Sequence, residues 1–304
     1  MDCGPINVDV YGLLVAGAKH SANAVRFLIA DLKGPPFVNG VRDAAGDPRC
    51  ACDTTEGPLL LVADGVEPDA AGQRASAIAV DRITEHLLCR LDPSGPFHAA
   101  QPQEIQKSFQ DALRDCRAAM EADALANPQF RQMSTTLTLA YIVWPQLFLV
   151  HLGDSRCYLH RNARLRRLTT DHTIAQKMVQ AGLLPADQAA RSPWNNVLWN
   201  AVGTGLAQRD ADVQWTHLIT GDVLLLCTGG LTRCLPEPRI AAIVQRNEPA
   251  EATCRCLLQA ARDADGSDNA TVVVARFGES RVDESPISAS QRLQRSEGLR
   301  IFSR

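Results

Sequence analysis

The chain has no dense Lys/Arg block, no apolar run near membrane-spanning length and no internal repeat, and each of these gaps excludes a class of protein. A formal net charge of -3 without a basic cluster offers no electrostatic footprint for nucleic acid or an anionic membrane surface, so neither partner is expected. A spanning helix needs about 20 consecutive apolar residues, and no window approaches that. The opening segment carries Asp2 and Asp9 where a secretory signal would be basic, and Gly17 breaks its apolar stretch. No signal peptide is expected, and the location implied is cytoplasmic. Self-similarity at solenoid spacing is also missing, which sets aside repeat architectures.

Zinc-ligand spacing is missing too, although there are ten cysteines. Most stand singly in apolar runs, as Cys89, Cys157 and Cys227 do, and this suits buried thiols in a reducing compartment. Cys50 with Cys52 and Cys254 with Cys256 are the close pairs, but a zinc site wants four ligands at recognisable spacing. Cys254 and Cys256 fall in a helical pattern, where residues two apart face apart.

What is present is the composition of a globular domain: 304 residues with a 45% hydrophobic share. The run LLLVAD at 59–64 is too short for a helix and is bounded by Gly57, Pro58 and Gly65, so it reads as a buried strand. Ala75, Ile78, Ala79, Ile83 and Leu87 then recur at helical spacing. A second amphipathic helix is expected from about 103 to 125. Short segments at 136–143, 146–152, 156–160 and 164–168, separated by turn residues, predict an antiparallel meander. A helix at 173–181, a strand at 223–228, helices near 237–246 and 250–263, and a final strand at 271–277 follow. Strands dominate the middle and helices come in pairs. The fold class expected is α+β, with two packed antiparallel β-sheets flanked by helices. One domain over 1–277 is expected, with a surface loop insertion at 33–57 and a polar, flexible tail at 278–304.

Four separated stretches carry chemistry-bearing residues in a recognisable order. VADGVEPDAAGQRAS holds Asp64, Gly65 and Gly72 where a strand ends and a helix begins. TTLTLAYIV followed by HLGDSRCYLHRNARLRRLTTDHT holds the Gly153-Asp154-Ser155-Arg156 turn and the Asp171-His172 pair. LITGDVLLLCTGGLT holds Gly221 and Asp222, and GSDNATVVVARF holds Asp268 and Asn269. Asp-Gly and Asp-Asn are common turn pairs taken singly. Together, in this order and spacing, they resemble the metal-dependent type-2C Ser/Thr protein phosphatases over about residues 10–277.

That resemblance implies hydrolysis of phosphate monoesters by water shared between two divalent cations about 4 Å apart. Hard cations take oxygen ligands, so several carboxylates must converge against the repulsion of two doubly charged ions. By the resemblance, Asp64 takes the bridging slot, the Gly65 carbonyl its neighbour, Asp268 the last core slot and Asp154 an outer slot. The first motif of the family is Arg, two residues, then Asn-Glu-Asp, and the matching segment here is HSANAVRFL. His20 then falls in the slot of the phosphate-receiving arginine, Ala24 in that of the glutamate and Val25 in that of the aspartate. In the fourth motif Gly229 stands where the family has aspartate, and Glu67, Pro68 and Asp69 replace its glycine loop. Asp31 and Asp53 are the acidic residues that could compensate, although Asp31 lies six residues beyond Val25 along a strand.

With Ala24, Val25 and Gly229 unable to coordinate through a side chain, the core is expected to hold at most one Mn or Mg ion, or none. The function implied is a pseudophosphatase: a regulatory or phosphoprotein-binding module, engaging a phosphoprotein or a Ser/Thr kinase. The alternative is a weakly active Mn/Mg-dependent Ser/Thr phosphatase with a reduced metal site. His20, His151 and His172 are given no catalytic role, and Asp154 and Arg156 are weighed as turn framework more than as catalysts.

Overall fold

The computed structural model of the chain describes residues 6–17, 24–31, 37–39, 50–54, 58–66, 70–90, 102–204 and 210–279. In chain order the elements begin with β1 (Ile6–Val15), β2 (Val25–Asp31), β3 (Phe37–Asn39), β4 (Cys50–Thr54) and β5 (Pro58–Asp64). Two long helices follow, α1 (Ala70–Arg90) and α2 (Pro102–Ala126), then β6 (Ser134–Thr135), β7 (Leu137–Val143), β8 (Gln146–Leu152), β9 (Arg156–Arg161) and β10 (Arg164–Arg167). Beyond them come α3 (Ile174–Gln180), β11 (Val202–Gly203), β12 (Asp212–His217) and β13 (Val223–Cys227). The chain continues through α4 (Gly229–Cys234), α5 (Glu237–Val244) and α6 (Ala250–Ala264) into β14 (Ala270–Glu279).

Twelve of the strands form two six-stranded sheets, one in the order β10-β9-β13-β14-β1-β4 and the other β12-β8-β7-β5-β2-β3. Neighbouring strands in both run antiparallel. Side chains alternate across a strand, so an apolar run such as β5 is buried on both faces. Leu60 and Val62 enter the layer between the sheets with Val8, Phe27, Leu149, Leu226 and Val273. Leu59, Leu61 and Ala63 turn outward, against Ile83 and Leu87 of α1 and Phe109 and Leu113 of α2. On the far side Leu225, Val272 and Val274 pack against Ile240 of α5 and Leu257 of α6. The result is helices, sheet, sheet, helices. Each fully buried Leu, Val or Phe contributes about 1.5–3 kcal/mol, so the three apolar layers dominate what holds the domain together.

The four strands expected as one meander are two hairpins in different sheets: β7 pairs with β8 in one, β9 with β10 in the other. The turn at 153–155 is a crossover between sheets. Gly153 has φ +106, a conformation that side chains rarely adopt, and a Cβ there would press on Thr136. Residues 33–57, expected as an irregular loop, contain β3 and β4, each added to the edge of a sheet. Strands of three and five residues are too short to show a period. The last strand runs to Glu279, two residues beyond the expected boundary at 277, and residues 280–304 lie outside the described residues. Among the described residues, no helix is long and apolar enough to cross a membrane.

Candidate active-site cleft

At one end of the two sheets a cleft of about 230 Å³ is lined by Ala24, Asp64, Gly65, Asp154, Arg233 and Asp268, with Val66, Thr136 and Asn196 beside them. Four parts of the chain meet there. The β5 strand ends at Asp64, whose backbone N–H donates to the Thr136 hydroxyl at 3.1 Å and whose carbonyl accepts from Thr136 N at 2.8 Å. Gly65 N donates to the Ala24 carbonyl at 3.1 Å, tying the start of β2 to the end of β5. Asp154 comes from the crossover between sheets, and Asp268 from the turn between α6 and β14.

The slots read as lost are placed beside the slots read as kept. Val25 is directly opposite Asp64 in the antiparallel register and fully buried, and Ala24 is 2% exposed on the cleft wall. Residues opposite one another in such a pair project to the same face, so Val25 sets a hydrocarbon surface next to the Asp64 carboxylate. Gly229 opens α4 and contributes no side chain. His20, together with Glu67, Pro68 and Asp69, lies outside the described residues. Both candidates for compensation stand on strand positions whose backbone lies away from the cleft. Asp31 pairs with Pro58, six residues and roughly 20 Å along the strand from Val25. Asp53 pairs with Asn7 at the opposite end of β1 from Val15, which pairs with Ala270 next to the Asp268 turn.

Arg233, which the sequence patterns did not single out, occupies the middle of the cleft. Its Nη2 donates to Asp268 Oδ2 at 2.5 Å and its Nη1 to Asp154 Oδ2 at 3.1 Å. The second oxygen of Asp268 accepts from Asn269 N at 2.8 Å. Burial, with Asp154 and then Asp268 adding repulsion and Arg233 opposing it, pushes the Asp64 carboxyl up to about 8. Burial raises Asp154 as well, again against the pull of Arg233. Burial alone would lower the Arg233 guanidinium, but Asp154 and Asp268 more than offset it and hold the cation above its usual range. A signal for Arg233 did exist in the sequence: it stands four residues, one helical turn, after the glycine that replaces an aspartate.

The other singled-out side chains are engaged with neighbouring parts of the fold. Arg156 grips Asp171 with Nε and Nη2, at 2.9 and 2.6 Å, and donates to the Tyr158 hydroxyl at 3.1 Å. Asp222 takes Arg161 at 2.8 and 2.6 Å and caps the Ile219 N–H. His151 is bonded to the Thr138 hydroxyl and the Thr170 carbonyl, and His172 to Gly153 N and Asp212. Cys254 is buried and donates to the Tyr11 carbonyl, whereas Cys256 turns toward Glu248.

The donor set of the described residues does not suit a pair of divalent ions. Among the described residues no three His, Cys, Asp or Glu side chains converge closely enough to hold a metal ion. Two doubly charged ions about 4 Å apart repel by about 16 kcal/mol at an effective dielectric of 20, and only a dense shell of anionic oxygens offsets that. Here the remaining carboxylates already face a guanidinium.

A family model for protein phosphatase 2C matches residues 41–268. The chain is 33% identical over 227 residues to the protein phosphatase PhpP of Streptococcus pneumoniae, covering 73% of this chain and 86% of that one. It is 28% identical over 217 residues to the serine/threonine phosphatase stp of Listeria innocua, covering 71% and 83%. The crystal structure of the Mycobacterium tuberculosis serine/threonine phosphatase PstP/Ppp superposes with a TM-score of 0.70 at 26% identity, over 90% of this chain and 100% of that one. A further structure of the PstP catalytic domain is in complex with 2 manganese ions.

Proposed function

The chain belongs to the protein phosphatase 2C family, and within it we propose a phosphatase-shaped regulatory or phosphoprotein-binding module with little or no turnover. The observation that carries this is the wall opposite Asp64: Ala24 and Val25 present hydrocarbon, and Gly229 presents no side chain, at the three positions where the family pattern has carboxylates. Hydrocarbon cannot take a share of a cation's charge. The oxygens left to an ion are those of Asp64, the Gly65 carbonyl and Asp268, with Asp154 further out, and one Mn or Mg ion is the most they would hold.

The relatives are named as Ser/Thr phosphatases, so the partner proposed is a phosphoprotein or the Ser/Thr kinase that produces it. His20 in the arginine slot removes the family's fork for phosphate. The arginines near the cleft, Arg156, Arg167 and Arg233, are all engaged by carboxylates. Recognition therefore rests on the protein surface around the cleft more than on capture of the phosphate itself.

The second reading, a weak Mn/Mg-dependent Ser/Thr phosphatase, draws on Asp64 and Asp268 still lining one cleft. An assay of the purified chain on an aryl phosphate and a phosphothreonine peptide, with millimolar manganese, separates the two. The proposal expects rates close to the uncatalysed reaction. Turnover matching an intact family member, abolished by Asp64→Asn, would overturn it.

A further inference from the structure

We infer that Arg233 is the resident cation of this cleft, a tethered guanidinium that holds the charge position divalent ions would need, so that the domain closes without metal and ion and guanidinium exclude one another. The inference deepens the proposed function and rests on its placing of the metal slots.

Three observations carry it. First, one guanidinium spans two carboxylates from distant parts of the chain, Asp154 in the crossover between sheets and Asp268 before β14. Without a cation between them these groups repel each other. Ion pairs on an open surface contribute little, but this one is partly enclosed: Asp154 is 16% exposed and Arg233 33%. Second, both oxygens of Asp268 are engaged, Oδ2 by Arg233 and Oδ1 by Asn269 N. A divalent ion on Asp268 must displace one of these donors, and if it displaces neither it sits against a like charge. Third, Gly229 and Arg233 are coupled. A Cβ on Gly229 would collide with the Arg233 guanidinium, so a side chain at 229 and the guanidinium in its present place cannot coexist.

Gly229 in the aspartate slot and Arg233 in the cleft are thus one exchange. A negative charge is absent and a positive one has moved in, a local difference of two charges, which equals that of one divalent ion. The side chain reaches the cleft from one helical turn further along α4, so the guanidinium is held at high effective concentration by its own backbone. A free ion must compete against that.

The test is thermal unfolding of the full chain in EDTA and in manganese, paired with calorimetric titration of manganese alone. For the natural sequence the melting temperature should be equal in both buffers, with no saturable manganese binding below about 1 mM. Arg233→Met should lower the melting temperature in EDTA by roughly 5–10 °C, because Asp154 and Asp268 lose their counter-ion. Manganese should restore much of that loss and bind at least ~10-fold more tightly than to the natural chain. Should Arg233→Met fail to fold, Gly229→Ala decides the matter: it keeps the charge but pushes the guanidinium off its seat, and it should gain manganese binding in the same direction. Tight manganese binding by the natural chain, with Arg233→Met and Gly229→Ala leaving the affinity unchanged, would overturn the inference. Such binding without phosphatase turnover leaves the proposed function standing, whereas turnover untouched by EDTA would sink that function and leave Arg233 in its role.

Discussion

His151 is 1% exposed, bonded on one side to the Thr138 hydroxyl and on the other to the Thr170 carbonyl, with the His172 ring 4.8 Å away. Burial, and after it the His172 charge, lowers its pKa to about 4, whereas in an unfolded chain the imidazole protonates near 6.5. On acidification the unfolded state takes up the proton first. Stability that is present above the unfolded value is therefore lost as pH falls from about 6.5 towards 4, by about 2 kcal/mol at pH 5. His151→Gln keeps an amide to bond with and removes the titration. Its urea midpoint should drop less than that of the natural chain between about pH 7 and about pH 5. Equal drops would mean that other groups govern acid sensitivity. Asp64 in the cleft acts in the opposite sense: burial, and after it Asp154, raises its carboxyl from the usual value near 3.8 to about 8, so stability is lost as pH climbs through that range.

Among the elements, the crossover at 153–155 has the most consequence for the site, because it both changes sheets and presents Asp154. Gly153→Ala would force φ +106 on a residue with a Cβ and drive that carbon into Thr136. A cost of about 2 kcal/mol is expected, read as a lower melting temperature by circular dichroism. An unchanged melting temperature would show that the crossover tolerates other backbone paths. The sequence announced a reversal here through Gly-Asp-Ser, but turn residues do not say to which sheet the next strand belongs. Periodic elements were legible: α2, α5 and α6 lie within two residues of the expected limits, α1 spans the apolar positions read as helical, and β5, β8 and β13 stand where their apolar runs are. The elements missed have weak signals for physical reasons. β12 is an edge strand with no fully buried residue, and α4 is six residues long and opens on two glycines, which are poor helix formers.

At the scale of the whole molecule the layered α+β architecture follows from apolar runs buried on two faces next to amphipathic helices, and the family pattern could be read from four motifs in order. Val25 stands opposite Asp64 and Gly229 at the head of α4, and the reading of these positions as depleted metal slots belongs to the proposal. Arg233 offered only its spacing of four from Gly229, because its role depends on a long side chain folding back over a glycine to meet Asp154 and Asp268, 79 and 35 residues away in the chain. Asp154, Asp268 and Arg233 draw the crossover, the α6–β14 turn and α4 together at the mouth of the sandwich. The most direct measurement is anomalous diffraction at the manganese edge from crystals grown in millimolar manganese. The account predicts Arg233 bridging Asp154 and Asp268 with one weak manganese peak at most, near Asp64. Two strong peaks bridged by solvent, with Arg233 swung out of the cleft, would contradict it.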